Sequence, residues 1–129
     1  MAEPIPGDLE AIGREIVDAC FRVHIALGAG LLESVYQTCL CHELRRRGLR
    51  IEREIGLPIV YDTLTINDAF RIDILVEGAV IVELKSVQAL LPVHEAQLIT
   101  YLKLSNCRLG FLVNFNVPLI KDGIKRLVR

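Results

Sequence analysis

The segment from Arg71 to Lys85 constrains the fold of this chain most strongly. It contains two apolar, β-branched runs, residues 72–76 and 80–84, on either side of a short Glu-Gly turn. This pattern predicts a β-hairpin. The charged residues that interrupt or end the runs are Asp73, Glu83 and Lys85. Because ionised groups inside a sheet are costly unless they are paired or bind a metal, their presence needs a physical reason.

The length of the turn decides which side chains of this hairpin share a face. A two-residue turn, 77–78, pairs Asp73 with Val82 and sends Glu83 to the other side of the sheet. A three-residue loop, 77–79, instead pairs Asp73 with Glu83. Only the longer loop gathers the apolar residues on one face, and a slip by one residue scrambles that face. We therefore predict the three-residue loop.

This register predicts one wholly apolar face and one charged face. The apolar face carries Phe70, Ile72, Ile74, Val76, Val80, Val82 and Leu84. The opposite face carries Arg71, Asp73, Leu75, Ile81, Glu83 and Lys85. Two carboxylates directly opposite each other repel, and a divalent cation between them removes that penalty. Hydrophobic patterning alone thus predicts that two carboxylates and a lysine lie together.

Composition is typical of a globular protein. The 129 residues are 52% hydrophobic and 24% charged, which suffices for a domain with its own core. We expect a single domain over residues 1–129, with residues 1–8 as an N-terminal tail. No apolar run reaches the ~18 residues of a membrane span, and the acidic, proline-rich start does not resemble a signal peptide. A cytoplasmic location without membrane association is expected.

Cysteine spacing and net charge argue against two further classes of protein. The four cysteines lack the Cys-x-x-Cys spacing of zinc sites and lie in apolar segments, so we expect buried, reduced thiols. The net charge of −1 does not indicate a strongly basic nucleic-acid binder. Two local basic clusters remain, and they consist of Arg45, Arg46, Arg47, Arg50 and Arg53, and of Lys121, Lys125, Arg126 and Arg129.

The rest of the pattern predicts an α/β domain. Helices are expected over about residues 8–27, 31–47 and 92–104. Strands are expected over about residues 51–61, 64–76, 80–87 and 109–115, with a bulge near 67–68 and the last strand in the middle of the sheet. The final segment, 119–128, fits either a short strand or a helical turn. The order α-α-β-β-β-α-β-(β) is typical of a mixed sheet with helices on both faces.

Two of the predicted helices carry polar residues that can reach the charged face. His94, Gln97 and Tyr101 recur at three- and four-residue spacing and share a helical face. On the spacing alone, a solvated polar stripe is the better explanation. Glu33 lies in the first turn of the second helix, where the helix dipole favours a carboxylate. Tyr36 follows three residues later, and a place in the core accounts for it as well.

These charged residues resemble the motif of a known superfamily. Asp73, followed by Glu83 and Lys85, is similar to the signature of the PD-(D/E)XK nuclease superfamily. The proline that gives the signature its first letter is Ile72 here, at a position that varies widely among such nucleases. The resemblance extends over about residues 12–128.

Two shorter motifs add to this resemblance. Gly30, Glu33 and Tyr36 match the pattern that names the GxxExxY protein family, which belongs to that superfamily. Gln97 and Tyr101 are similar to the helical Q-x-x-x-Y motif of the superfamily's recombination exonucleases. The resemblance implies a restriction-endonuclease-like, three-layer α/β/α core around a mixed sheet of four or more strands. It also implies Mg²⁺-dependent hydrolysis of phosphodiester bonds, with Mn²⁺ as an alternative ion.

The resemblance also implies roles for individual residues. The metal ligands implied are Asp73, Glu83, Glu33 and the backbone carbonyl of Leu84. The catalytic residues implied are Lys85, Gln97 and Glu33, and the substrate-binding residues are Tyr101, Arg71, His94 and Tyr36. For Lys85 we favour an electrostatic role over a general-base role, because neighbouring carboxylates favour its charged form.

Three functional hypotheses follow. The first is a metal-dependent nuclease that acts on nucleic acid, DNA more than RNA, with a homodimer as the assembly hypothesis. The second is a catalytically inactive nuclease-fold domain that binds or scaffolds a partner protein, which the near-neutral charge and the few aromatic residues favour. The third is a structural charge cluster in which Lys85 pairs with Asp73 and Glu83 and no ion binds.

Overall fold

A computed structural model describes residues 3–129 of the chain. The helices are α1 (Gly7–Leu27), α2 (Glu33–Arg46) and α3 (Pro92–Ser105). The strands are β1 (Ile51–Tyr61), β2 (Leu64–Val76), β3 (Val80–Lys85), β4 (Leu109–Asn114) and β5 (Ile124–Val128). The predicted tail, residues 1–8, begins with Met1 and Ala2, which lie outside the described residues. Its last two residues, Gly7 and Asp8, already belong to α1. In residues 3–129, no helix has both the length and the apolar character needed to cross a bilayer.

The strands form one mixed sheet in the order β1-β2-β3-β4-β5. Strands β3 and β4 are parallel and are joined through α3, whereas the other neighbours are antiparallel. The predicted fold class is confirmed, and the fully buried β4 is an inner strand as expected. The ambiguous last segment contains both predicted alternatives, a 3₁₀ turn at Ile120–Asp122 followed by the edge strand β5.

The predicted register of the β2–β3 hairpin is confirmed. The paired residues are Val76 with Val80, Leu75 with Ile81 and Ile74 with Val82. This pairing leaves residues 77–79 in the turn, where Glu77 and Gly78 have φ angles of 54° and 63°. Continued by one residue, the same register sets Asp73 opposite Glu83.

The prediction that one face of this hairpin is wholly apolar is wrong for the part of β2 that precedes Asp73. One core cluster packs against α1 and α2 and includes Ile74, Val76, Val80, Val82 and Leu84. The other packs against α3 and includes Phe70, Ile72 and Ile81, with Leu75 at its edge. Strand β2 therefore changes face between Ile72 and Ile74. The physical cause is a lapse in β1–β2 pairing at Glu54 and Asp73, where Glu54 has a φ angle of 52°.

The outer part of the β1–β2 hairpin carries apolar side chains into solvent. The predicted bulge near 67–68 is confirmed, because the register of the two strands shifts there and Asp68 has a φ angle of 49°. Beyond the bulge, the exposed apolar residues are Val60, Tyr61, Leu64 and Ile66. Exposed apolar clusters of this kind are characteristic of interaction surfaces.

Candidate active site

Two carboxyl groups meet where strands β2 and β3 part. Regular pairing ends at Ile74 and Val82, and side chains take over the hydrogen bonding beyond it. The N–H of Leu84 donates to Oδ2 of Asp73 at 2.9 Å, and the N–H of Asp73 donates to Oε1 of Glu83 at 3.4 Å. The structure therefore brings together the carboxylate pair that the register predicted.

A positive charge placed between Asp73 and Glu83 would stabilise this carboxyl pair. Glu83 is only 5% exposed. Burial, followed by the hydrogen bond to Asp73 and repulsion from its charge, raises the pKa of Glu83 to about 9. Burial and the neighbouring charge of Asp73 therefore favour the protonated form of Glu83 in the metal-free protein. A proton or a divalent cation can balance the charge of such a pair.

Glu33 and Lys85 lie close to this pair. Glu33 is in the first turn of α2, and burial, followed by the charge of Asp73, raises its pKa, while Lys85 lowers it. Lys85 has the same lowering effect on Glu83. A cavity of about 240 Å³ opens between α2 and the sheet. Its lining residues are Glu33, Ser34, Gln37, Glu54, Asp73 and Leu84.

The residues at this cavity fit a hard divalent cation. Carboxylate oxygens are the ligands that Mg²⁺ prefers, and Mg²⁺ commonly keeps several water ligands. Among residues 3–129, no three carboxylate, imidazole or thiol side chains are close enough to hold an ion by themselves. The arrangement therefore fits an ion that is held by one or two carboxylates and otherwise by water.

Helix α3 presents Tyr101 to the same site. Its ring packs on Phe70 with a centroid separation of 4.9 Å. Burial, followed by the charges of Glu83 and Asp73, raises the pKa of Tyr101. Gln97 is exposed one helical turn earlier, on the face that this spacing shares with Tyr101.

Two further predicted substrate residues have different surroundings. Arg71 is exposed on β2, two residues before Asp73 and on the other side of the point where the strand changes face. His94 is half-buried, and its Nδ1 accepts a hydrogen bond of 3.0 Å from the N–H of Leu91. His94 therefore helps to close the start of α3, because the first N–H groups of a helix have no partner within it.

Tyr36 is a core residue and does not reach a surface where substrate can bind. It is fully buried, and its ring stacks on Phe115 at a centroid distance of 4.5 Å. Its hydroxyl donates to the carbonyl of Gly28 at 2.6 Å and accepts from the N–H of Leu31 at 3.1 Å. Tyr36 thus holds the α1–α2 loop, and α2 begins at Glu33, two residues later than predicted.

Replacing Tyr36 by Phe is expected to lower the free energy of unfolding by about 1–2 kcal/mol, because two backbone groups lose a partner while the ring packing remains. Urea unfolding measures the change. Tyr61→Phe is the matched control, since Tyr61 is 74% exposed. Equal unfolding midpoints for Tyr36→Phe and wild type would contradict this role of the hydroxyl.

Three residues that line the cavity were missed by the sequence reasoning, namely Ser34, Gln37 and Glu54. Arg53, predicted only as part of a basic cluster, contacts Gln37. Gln37 lies four residues after Glu33, so helical spacing could have drawn attention to it. Glu54 had no comparable signal, because its position depends on the lapse in strand pairing opposite Asp73.

Most cations of the predicted basic clusters form ion pairs with carboxylates. Five of their nine members make ion pairs. The pairs are Arg46 with Glu43, Arg47 with Glu15, Asp18 and Glu43, Arg50 with Glu77, Lys125 with Glu95, and Arg126 with Glu10. These cations are therefore less available to neutralise phosphates, which is the main source of nucleic-acid affinity.

The hypothesis of a purely structural charge cluster finds no support in the geometry. It requires Lys85 to pair with Asp73 and Glu83. Within the part of the chain that the structure describes, none of these three residues belongs to an ion pair. Lys85 therefore influences the carboxyl pair through its nearby charge, which lowers the pKa of Glu83, and not through a direct ion pair.

A mixed sheet between helical layers, with an acidic pair and a lysine on parting strands, defines a class of nuclease-like α/β domains. A model of the PD-(D/E)XK nuclease superfamily matches residues 10–127. The chain belongs to this superfamily, and its fold is consistent with the restriction-endonuclease-like fold. Members of the superfamily typically use divalent metals. No curated protein and no solved structure matches the chain.

Proposed function

We propose that this protein is a metal-dependent nuclease of the GxxExxY type, which hydrolyses phosphodiester bonds in nucleic acid. The observation that carries the proposal is the meeting of the Asp73 and Glu83 carboxyl groups between parting strands. Glu33 and Lys85 lie close enough to influence them electrostatically. A single domain over residues 1–129, a cytoplasmic location and a homodimer remain predictions.

The proposed metal ligands are the carboxylates of Asp73 and Glu83 and the carbonyl of Leu84. Glu33 approaches from α2 and contributes through a metal-bound water, in line with an ion that keeps several water ligands. A divalent cation bound there, Mg²⁺ or Mn²⁺, supplies Lewis acidity that activates water and offsets charge on the attacked phosphate. The raised pKa of Glu83 supports the proposal, because burial first and the charge of Asp73 second make a negative charge on Glu83 costly without a bound cation.

The other residues act on the substrate. Lys85 stabilises the negative charge that develops on the phosphate, because a fixed ammonium group in a partly desolvated site needs little reorganisation. Gln97 orients the attacking water or a phosphate oxygen. Tyr101 and Arg71 border the path of the nucleic acid, and His94 holds the start of α3 beside it.

The proposal is tested first by incubating the protein with DNA and RNA, single- and double-stranded, in Mg²⁺ or Mn²⁺. Replacing Lys85 by Met is expected to lower the cleavage rate by about 10²–10³-fold, the usual effect of losing one charge-stabilising donor. Mn²⁺ binding by calorimetry is expected to persist, because Lys85 is not a ligand.

Lys121→Met is the control for this experiment, since Lys121 is exposed and does not line the cavity. Cleavage by Lys85→Met at the wild-type rate would point to a different catalytic group or to a contaminating nuclease. A wild type that cleaves none of these substrates in either metal would overturn the proposed activity.

A second candidate is a catalytically inactive domain that binds a partner protein. Two observations favour it: the exposed apolar tip of the β1–β2 hairpin, and the ion pairs that occupy the basic clusters. Between Glu54 and Phe70 the hairpin has no Lys or Arg, so this surface suits a protein better than a phosphate backbone. A protein that binds metal but cleaves no nucleic acid would favour this candidate.

A further inference from the structure

We propose that Gln37 is a positioning residue for the metal-binding carboxylates. In this role its side-chain amide links α2 to both strands of the β1–β2 hairpin. It thereby fixes the position of Glu33 relative to Asp73. The inference rests on the proposed function, because it concerns the same site, and it gives a role to a buried polar residue that belongs to none of the motifs.

The first contact is with the backbone of Asp73. Pairing between β1 and β2 lapses there, because Arg53 pairs with Ile74 and Ile55 pairs with Ile72, but the two residues between them are unpaired. The Nε2 of Gln37 donates to the carbonyl oxygen of Asp73 at 3.3 Å. This side-chain hydrogen bond satisfies the backbone carbonyl of Asp73, a candidate metal ligand, at the point where strand pairing is interrupted.

The second contact orients the amide. The Nη2 of Arg53 donates to Oε1 of Gln37 at 2.9 Å. A reversed amide would turn its NH₂ group towards this guanidinium and its oxygen towards the carbonyl of Asp73, and both interactions are repulsive. The charge on Arg53 therefore selects the orientation in which Gln37 donates to Asp73. Arg53 also donates to Oγ1 of Thr38 at 3.2 Å, so its guanidinium is held by two residues of α2.

The third relation is with Glu33. Gln37 lies four residues later on α2, so the two side chains share a helical face, and both line the cavity. Gln37 is only 6% exposed, whereas Glu33 is exposed. The buried amide therefore sets how far the first turn of α2, which carries Glu33, stands from Asp73.

The test measures metal affinity and does not depend on catalysis. Gln37→Met has a similar shape but neither donates nor accepts these hydrogen bonds. We expect its Mn²⁺ affinity, measured by calorimetry, to fall about 10–100-fold, the usual cost of removing a group that orients a metal ligand. Thr38→Val is the matched control: it removes the other contact of Arg53 and is expected to bind Mn²⁺ like wild type. Urea unfolding confirms that each variant is folded.

A double-mutant cycle separates positioning from a general structural effect. If Gln37 acts by placing Glu33 against Asp73, Gln37→Met is expected to cost much less affinity in a Glu33→Gln background than in wild type. Equal losses in both backgrounds would overturn the inference. If Gln37→Met does not fold, Gln37→Asn gives the same comparison, because its shorter amide cannot reach Asp73 and Arg53 together.

The remaining outcomes distinguish this inference from the proposed function. Unchanged Mn²⁺ affinity in Gln37→Met, beside a wild type that binds, would overturn the inference and leave the metal site intact. An equal loss in Thr38→Val would also overturn it, because the effect would then belong to the α2–β1 contact. A wild type that binds no Mn²⁺ would overturn the proposed metal site, and the inference with it.

Discussion

Replacing Asp73 by Asn is expected to abolish metal-dependent cleavage and, at the same time, to stabilise the metal-free protein. The cleavage rate should fall by at least about 10³-fold, because the principal charged ligand is lost together with several kcal/mol of charge stabilisation. The Oδ1 of Asn can still accept from the N–H of Leu84, and its NH₂ group can donate to Glu83. The fold therefore keeps its contacts while the site loses a negative charge.

The gain in stability should be roughly 0.5–1 kcal/mol at pH 8, the range of cross-strand pair effects. Without the charge of Asp73 the pKa of Glu83 is raised less, so folding at this pH carries a smaller cost of protonating Glu83. Calorimetry with Mn²⁺ and urea unfolding in a chelator measure the two effects. Asp62→Asn is the matched control, because Asp62 is an exposed carboxylate in the β1–β2 turn. Wild-type Mn²⁺ affinity in Asp73→Asn would remove Asp73 from the ligand set.

The metal-free protein is expected to lose stability as the pH rises from about 5 towards 9. Burial and Asp73 raise the pKa of Glu83 to about 9, from 4.5 in the unfolded chain. Between these values the folded state holds a proton that the unfolded state has released, so raising the pH favours unfolding. One such proton changes the free energy of unfolding by up to about 1.4 kcal/mol per pH unit, or roughly 2–3 kcal/mol between pH 6 and pH 8.

Urea unfolding in a chelator at pH 6, 7 and 8 measures this slope, and Glu83→Gln isolates it. Glutamine does not titrate, so the variant should show a much flatter dependence, while the other titrating groups contribute alike to both proteins. Parallel slopes for wild type and Glu83→Gln would contradict the raised pKa of Glu83. Saturating Mg²⁺ is expected to stabilise the wild type most at the highest pH, because it then competes less with the proton on Glu83.

The hairpin shows how far sequence reasoning reached. The apolar alternation in residues 72–84 required a three-residue loop, and the observed pairing agrees with it. Because register is set by side-chain alternation and turn length, both local properties, the meeting of Asp73 and Glu83 could be predicted without a tertiary structure. The same holds for the order of the helices and strands, and for the resemblance to a nuclease superfamily that the family match then confirmed.

The change of face in β2 could not be predicted in this way. It depends on an unpaired position shared by β1 and β2, where Glu54 adopts a left-handed backbone and opens the cavity beside Asp73. Periodicity assumes an uninterrupted strand, so it assigned Ile72 and Ile74 to one face. The structure divides them between two cores, and each core then covers one side of the sheet.

By itself, the sequence determined the fold class, the hairpin register and the pair of acidic residues at its centre, because these follow from periodicities that extend over a few residues. Only the tertiary structure decided that Tyr36 belongs to the core, that Gln37 joins α2 to Asp73, and that carboxylates distant in sequence neutralise the basic clusters. These outcomes depend on contacts between residues far apart in the chain, and no local pattern specifies which polar groups will share a buried space.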